Sequence, residues 1–345
     1  MQHVLNLSLD GLQAWLKERE LPPYRAAQIR RWLFESRAGD FEAMSDLSKP
    51  LRVRLAEEFR LWTAQVAVHQ QADDGTEKLL LELDDRQRIE CVLLRQTELR
   101  RTICISTQVG CAMGCVFCAS GLEGVARNLT KGEIVEQMLQ LARLLPPEER
   151  LSHIVVMGMG EPLANLDALL PALAEATSPK GLGISPRRVT ISTVGLPKSI
   201  VRLAAENQPY HLAISLHAPD DELRNRLVPV NKSIGLDAIL EASEEYFRVS
   251  GRRLTFEYVL LGGINDGAEH ARRLAERLAG RTALLNVIPY NPVAGLPYLT
   301  PTLEAQQRFV SILEQGGIGI KIRRRKGDKI DAACGQLRRS VRSEG

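Results

Sequence analysis

Seven short apolar segments alternate with helix-like segments from residue 100 onward, and this alternation constrains the fold more than any other feature. About six intervening segments have the spacing of amphipathic helices. Strict alternation predicts parallel strands joined by right-handed crossovers. An open doubly wound sheet and a full or partial barrel both fit it, and periodicity alone does not choose between them. The strand candidates are TICISTQ (102–108), HIVVMGMG, RVTISTVG, HLAISLHA, RLTFEYVLLGG, LLNVIPYNP and IGIKIRRRKG.

The first 95 residues have a different pattern. Residues 8–60 have helical spacing, and residues 64–95 form short strand candidates around the hairpin signal Asp74-Gly75. We therefore predict a mainly helical accessory domain over residues 1–95 and an α/β core over residues 96–345. A chain of 345 residues is long enough for two such domains.

Composition excludes several classes of protein. Hydrophobic residues make up 44% and charged residues 25%, as in ordinary globular domains, so the core does not need disulfides for stability. No apolar run reaches the roughly 18 residues of a membrane span. The first residues lack the basic start and apolar stretch of a signal peptide. We expect a cytoplasmic protein with reduced thiols and no membrane partner.

A basic block lies near the end of the sequence. Between Lys321 and Arg342 there are nine Lys or Arg residues against Asp328 and Asp331. Such a block fits contact with nucleic-acid phosphates, and a solvated surface is the alternative interpretation.

Polar residues recur where the predicted strands end. In parallel α/β folds the carboxyl ends of the strands carry the chemistry, so these residues are expected to share one rim. None is specific alone; a lone histidine, for example, is more often structural. They are the cysteine loop, Gly158, Gly160, Glu161, Ser192, Thr193, Ser215, His217, residues 262–266 and Asn291.

Three of the six cysteines lie in the loop STQVGCAMGCVFCASG, spaced Cys111-x3-Cys115-x2-Cys118. Thiolates bind soft metal centres. Structural zinc sites and iron–sulfur clusters usually have four protein ligands, so three ligands leave one metal position open for a substrate or cofactor. A zinc knuckle that takes Cys104 or a distant residue as fourth ligand is the alternative.

The cysteine spacing, with Phe117 before the last cysteine, resembles the radical S-adenosylmethionine (SAM) superfamily. MGMGEP (157–162) is similar to the glycine-rich segment of that superfamily. The resemblance implies a partial (β/α) parallel barrel and a [4Fe–4S] cluster held by the three cysteines. SAM would bind the open iron and yield a 5′-deoxyadenosyl radical after reduction by a low-potential donor such as flavodoxin or ferredoxin.

The whole motif set resembles the RlmN/Cfr family of RNA adenosine methyltransferases. This likeness covers essentially the whole chain, and GCAMGCVFC with the basic tail is closer to the RlmN branch. The matching stretches are PYRAAQIRRWLF, IECVLL, CISTQVGCAMGCVFCASG, RNLTKGEIVEQ, VVMGMGEPLANLD, VTISTVGLP, AISLHAPDDELRNRLVPVNK, EYVLLGGIND, VIPYNP and IDAACGQL.

This resemblance implies a reaction that uses two SAM molecules. Cys334 would carry a methyl group from the first SAM, and the radical from the second would activate that methyl for addition to adenine. Cys104 would release the product by forming a disulfide with Cys334. Glu90 would accept a proton, and Cys104 is the alternative candidate for that step. The implied SAM contacts are Gly160, Glu161, Ser192, Ser215, Leu216, His217 and Asn291.

The implied substrates are an adenosine of 23S rRNA, methylated at carbon 2, and an adenosine of tRNA. Cfr-like methylation at carbon 8 is the alternative within the family. Two other classes are a radical SAM enzyme for a small molecule and a zinc-stabilised RNA-binding protein without catalytic activity. We expect a monomer.

Overall fold

The computed structural model describes residues 1–97, 100–323, 327 and 330–338. Six members of the basic block lie outside the described residues: Arg324, Arg325, Lys326, Lys329, Arg339 and Arg342. Among the described residues, no helix has the length and apolar character needed to cross a membrane.

The N-terminal region is mainly helical, as expected. Ser8 begins the first helix, because its hydroxyl accepts a hydrogen bond from the Gly11 amide at 3.0 Å. Arg30 of this region pairs with Glu175 of the core at 2.5 Å, and Lys131 of the core donates to the Leu7 carbonyl at 2.9 Å, so both contacts tie this region to the core. The elements are α1 (Leu9–Lys17), α2 (Arg25–Phe34) and α3 (Lys49–Glu58), with β1 (Gln2–His3) parallel to β2 (Phe59–Arg60).

The predicted hairpin forms, but its strands extend the core sheet. Strands β3 (Ala64–Gln71), β4 (Glu77–Leu83) and β5 (Arg88–Thr97) are antiparallel, and β5 pairs with the first core strand. The structure describes ten strands in the resulting sheet: β3, β4 and β5 lie in that order at one edge, and the seven core strands follow in chain order. The boundary expected at residue 95 therefore falls between two hydrogen-bonded strands, and the division into two domains stays a prediction.

Seven strands of this sheet, β6 and β9 to β14, are parallel, as the alternating pattern predicts. Their spatial order follows their chain order without reversal, whereas a doubly wound sheet reverses at a switch point. The core is thus a partial barrel, and the prediction is confirmed. Its strands are β6 (Arg100–Cys104), β9 (His153–Val156), β10 (Val189–Thr193), β11 (His211–Ser215), β12 (Leu254–Leu260), β13 (Ala283–Pro289) and β14 (Ile320–Ile322), and the short pair β7 (Gln108–Gly110) and β8 (Val125–Asn128) flanks the cysteine loop.

Helices cover the convex face of the barrel, and alternate strand residues face its interior. On β9, for example, Ile154 and Val156 are fully buried in the helix-covered core, whereas His153 and Val155 line an interior cavity. Seven helices in the described part of the chain supply this cover, one more than expected, because two lie between β11 and β12. They are α4 (Lys131–Ala142), α5 (Leu166–Thr177), α6 (Pro197–Ala205), α7 (Asp221–Leu227), α8 (Leu236–Ser250), α9 (Ala268–Leu278) and α10 (Leu303–Gln315).

Candidate active site

Two cavities meet at the carboxyl ends of the parallel strands. The smaller one, about 150 Å³, is lined by Cys111, Cys115 and Cys118 together with residues that follow strands β9 to β13. We call it the thiol cavity. The expected rim therefore exists around the cysteine loop, except that residues 262–266 line neither cavity.

The larger cavity, about 700 Å³, occupies the barrel interior, and we call it the barrel cavity. Its wall is rich in cations, and among the described residues Glu257 is the carboxylate that lines it. Five residues line both cavities and form what we call the junction: Met157, Glu257, Ile288, Asn291 and Cys334. The cationic wall residues are Arg100, Arg187, Arg188, Lys321 and Arg323.

The cysteine loop is fixed by backbone hydrogen bonds at several points. The Val116 amide donates to Leu227 at the end of α7, and the Ala119 amide donates to the Gly335 carbonyl at 2.8 Å. The Ser120 hydroxyl donates to the Leu337 carbonyl at 2.6 Å. The loop and the C-terminal tail are thus held directly against each other.

The three loop thiols are poor acids in the absence of a metal. Burial raises the pKa of Cys111 to about 12 and also raises the pKa values of Cys115 and Cys118. A bound cation reverses this effect, since metal-bound thiols are deprotonated. Among the described residues no group converges closely enough to hold a single metal ion. The thiols instead surround a cavity, which fits a larger sulfur-ligated centre.

The junction also fits a ligand that donates hydrogen bonds. Glu257 Oε1 and Asn291 Oδ1 are buried acceptors without a hydrogen-bond partner in the described part of the chain. Unpaired buried acceptors are costly, and a ligand with ammonium or hydroxyl groups would satisfy them. SAM carries both kinds of donor.

Six of the seven predicted SAM contacts line the thiol cavity: Gly160, Glu161, Ser192, Ser215, His217 and Asn291. Leu216 does not. Its side chain is fully buried in the main core, its amide donates to the Glu257 carbonyl, and its own carbonyl accepts from Arg224. The structure therefore gives Leu216 no free group toward the cavity.

Gly160 and Glu161 have local reasons for their positions. Gly160 has a φ of 103°, and a Cβ there would lie 2.7 Å from the Cβ of Gln108, so glycine is required by the backbone and by close packing. The Glu161 carboxylate accepts from the amides of Leu163 and Val194 at 3.0 and 2.9 Å. Burial nevertheless raises the pKa of Glu161.

His217 is an uncharged residue at the cavity wall. Its Nδ1 accepts from the Val259 amide at 3.0 Å, and burial lowers its pKa to about 3. Its backbone has a φ of 62°, which Asn265 stabilises by donating to the His217 carbonyl at 2.9 Å. The ring packs edge-on against Phe117 at 4.9 Å, so His217 links the fourth parallel strand to the cysteine loop.

Arg224 is a residue of the site that the sequence pattern did not reveal. It is fully buried and donates to the carbonyls of Val194, Ser215 and Leu216 and to Asn231. These carbonyls lie just beyond β10 and at the end of β11, where the thiol cavity is formed. Arg224 therefore fixes the ends of β10 and β11 to α7.

Cys334 lies at the junction, where the tail crosses the rim. Asn291 Nδ2 donates to the Cys334 carbonyl at 3.2 Å, and Gln336 Nε2 donates to the Pro292 carbonyl at 2.9 Å. These bonds fix the tail to the loop after β13. All six cysteines are free thiols.

Glu90 and Cys104 line neither cavity. Glu90 is 3% exposed, and its carboxylate contacts Lys78 Nζ at 2.8 Å and accepts from the Arg338 amide at 2.7 Å. Burial raises the pKa of Glu90, and Lys78 opposes that shift. Burial, with a contribution from the nearby Cys334, raises the pKa of Cys104 to about 12. Both residues are thus close to the tail but behind the cavity walls.

A partial parallel barrel whose first strand leads into a three-cysteine loop defines a radical SAM protein, and residues 105–275 match the radical SAM superfamily. Residues 2–61 match the ribosomal RNA large subunit methyltransferase N-terminal domain. The chain belongs to the RlmN family. The resemblance drawn from the sequence is confirmed, and family membership implies SAM and an iron–sulfur cluster as cofactors.

The relatives match along more than nine tenths of their length. The chain is 63% identical over 338 residues to a probable dual-specificity RNA methyltransferase RlmN of Rhodopirellula baltica, covering 98% of this chain and 91% of that protein. Identity to a probable RlmN of Bacillus subtilis is 43%, with 99% and 94% covered. A solved radical SAM methyltransferase from Sphaerobacter thermophilus superposes with a TM-score of 0.96 at 42% identity, covering 99% of this chain and 100% of that one.

Proposed function

We propose that this chain is an RNA methyltransferase that transfers a methyl group through Cys334 to carbon 2 of an adenosine in 23S rRNA and of an adenosine in tRNA. The position of Cys334 at the junction of the two cavities carries the proposal. One sulfur can reach a cofactor in the thiol cavity and a base in the barrel cavity without a large movement of the tail.

The thiol cavity is the cofactor site in this proposal. Cys111, Cys115 and Cys118 would hold a [4Fe–4S] cluster, and Asn291, Glu161 and Ser192 would bind SAM. Cluster and SAM together supply an organic radical that removes hydrogen from an unactivated carbon. One SAM per turnover would methylate Cys334 and a second would start the radical step.

The barrel cavity is the proposed substrate site. Its volume of about 700 Å³ suits a nucleotide-sized ligand, and its arginines suit phosphate oxygens. A base reaches such an interior only when it is unstacked or flipped out of the RNA. The N-terminal domain and the basic tail would hold the surrounding RNA by shape and charge.

The residues near the tail have distinct proposed roles. Cys334 carries the carbon unit that becomes bonded to the base. Attack of the Cys104 sulfur on the Cys334 sulfur breaks the carbon–sulfur bond, and the electron pair with a proton completes the methyl group. A Cys104–Cys334 disulfide remains and must be reduced. Glu90 is the proposed acceptor of the carbon-2 proton, and its contacts with Lys78 and the Arg338 amide lie beside the tail. The adduct must also lose its unpaired electron before the carbon–sulfur bond breaks, and the oxidised [4Fe–4S] cluster would be the acceptor.

Nucleoside analysis tests this function. The anaerobically reconstituted protein, SAM and a low-potential donor such as reduced flavodoxin or ferredoxin are incubated with unmodified 23S rRNA fragments or tRNA. We expect 2-methyladenosine from both RNAs and none from a Cys334→Ala variant. Formation of 8-methyladenosine would contradict the carbon-2 assignment, and unmethylated RNA would contradict the function. Size-exclusion chromatography checks the proposed monomer.

A further inference from the structure

Arg323 is the cation of the barrel cavity that contacts the junction. It directly follows β14, and its amide donates to the Val287 carbonyl at 2.9 Å. Its guanidinium Nη1 lies 3.5 Å from the Met157 sulfur and 3.6 Å from Glu257 Oε1, two junction residues. Arg323 therefore contacts the junction that Cys334 also lines.

The Arg323 guanidinium has unused donors. It presents five N–H groups, and among the described residues its hydrogen-bond acceptor is the sulfur of Met157, a weak acceptor. Glu257 neutralises the charge from beyond hydrogen-bond distance. The side chain is 30% exposed, and that exposure opens into the barrel cavity. A ligand in the cavity can thus accept from it directly.

The other cavity cations have no such position. Arg100 donates to the Thr102 hydroxyl, and the Arg188 amide donates to the Ser185 carbonyl. Neither residue, nor Arg187 or Lys321, has a hydrogen bond or ion pair with a junction residue among the described contacts. They line the cavity without a described contact to the junction, and phosphate oxygens are natural acceptors for them.

We propose that Arg323 is a catalytic residue that donates a hydrogen bond to a ring nitrogen flanking carbon 2 of the target adenine. This inference rests on the proposed function and assigns one of its steps. Carbon 2 lies between two ring nitrogens, N1 and N3. A cationic donor at either nitrogen withdraws electron density from carbon 2 and makes it a better acceptor for an electron-rich carbon radical.

The assisted step is the addition of the methylene radical on Cys334. Its unpaired electron and one electron of the C=N π bond form the new carbon–carbon bond. The other π electron passes to the ring nitrogen system, where the guanidinium stabilises the added electron density. No proton or leaving group moves in this step. Methylation of Cys334 takes place without a bound nucleobase, so it should not need the hydrogen bond from Arg323 to the adenine ring.

The test measures the two half-reactions separately. Arg323→Met and Arg323→Gln are compared with wild type and with Arg308→Met, a matched change on the exposed face of α10. Cys334 methylation is measured by peptide mass spectrometry without RNA. Addition is measured as covalent protein–RNA adduct on denaturing gels in a Cys104→Ala background. Thermal melting and iron content report folding.

We expect both Arg323 variants to methylate Cys334 at the wild-type level and to form adduct about 10- to 100-fold more slowly, the range for one hydrogen bond from a charged donor. Arg308→Met should match wild type. RNA with 1-deazaadenosine or 3-deazaadenosine at the target tests the contact without a protein variant. Each deaza substrate is intrinsically less reactive at carbon 2 and should slow both enzymes. On the substrate that lacks the contacted nitrogen, the ratio of wild-type to Arg323→Met rates should fall toward one, whereas on the other it should stay the same.

Several results would overturn the inference. One is adduct formation within about 3-fold of wild type in folded Arg323→Met, since that is less than one charged hydrogen bond contributes. Another is loss of Cys334 methylation in folded Arg323→Met or Arg323→Gln, because Arg323 would then act in the methylation of Cys334 and not in addition to the base. A further one is a rate reduction for Arg323→Met on both deaza substrates that equals the product of the variant's reduction and the substrate's reduction measured separately, since a direct contact would be lost only once. If wild type forms neither adduct nor methyladenosine, the proposed function fails instead, so the two failures are distinguishable.

Discussion

Replacing Arg224 by methionine tests how the site is held together. The guanidinium is fully buried, and it donates to Leu216 at 3.0 Å, Ser215 at 2.9 Å, Val194 at 2.5 Å and Asn231. Methionine has a similar length but no donor, so three buried carbonyls and one amide oxygen lose their partner. The backbone at the ends of β10 and β11 must then relax or admit water.

The magnitude follows from these contacts. Hydrogen bonds from a charged donor each contribute about 1.5–3 kcal/mol, but they are not additive, and removing a buried charge recovers part of its desolvation cost. We expect a net loss of about 3–5 kcal/mol in the free energy of unfolding. Arg224→Lys, which keeps the charge and three donors, should lose less.

Urea denaturation and SAM binding to the reconstituted protein measure this effect. Arg226→Met is the matched control, because Arg226 is exposed on the same helix and should change stability by less than about 0.5 kcal/mol. SAM affinity should fall at least about 10-fold in folded Arg224→Met, since Val194 and Ser215 line the thiol cavity. A stability loss below about 1 kcal/mol, or unchanged SAM affinity, refutes the reasoning.

Three further predictions concern the tail and the N-terminal domain. Cys334→Ala should abolish RNA methylation while still cleaving SAM, measured as 5′-deoxyadenosine release; methylation that persists would rule out the route through this sulfur. Cys104→Ala should accumulate a covalent RNA adduct, and free turnover without any adduct on denaturing gels counts against its role. Burial lowers the pKa of His3 from 6.5 to about 4, so between those two pH values the unfolded chain binds a proton that the folded chain does not. The free energy of unfolding should therefore decrease as the pH is lowered from 6.5 to 4, by up to about 1.4 kcal/mol per pH unit, and His3→Gln, which keeps a donor to Leu61, should reduce that slope; an unchanged slope contradicts the assignment.

The local sequence pattern was sufficient to predict the parallel strands and the polar rim at their carboxyl ends. Period-2 apolar segments separated by helical segments fix the strand direction, and direction alone brings Glu161, Ser192 and His217 to the cysteine loop. The pattern could not show that β5 pairs with β6, because strand pairing between neighbouring units leaves no periodic signal. Because this pairing joins β5 to the core sheet, the boundary expected at residue 95 falls inside a continuous sheet.

Three site residues were not predicted from the sequence, and they differ in the strength of their sequence signal. Arg224 lies in DDELRNRL, which looks like an exposed charged helix, and only its tertiary burial reveals its role. Glu257 had a signal, since it alternates with the outward residues Phe256 and Tyr258 of β12 and must face the interior. Arg323 was counted within a basic block, where charge alone does not separate one cation from its neighbours.

The fate of the carbon on Cys334 is the most direct test of the central claim. Protein premethylated with trideuteromethyl SAM is freed of excess SAM and then incubated with RNA and unlabelled SAM for one turnover. We expect the first methyladenosine to retain two deuterium atoms, because one is removed by the radical and a solvent proton replaces it. A first product without deuterium means that the methyl group never passed through Cys334, and the proposed route through this sulfur is then wrong.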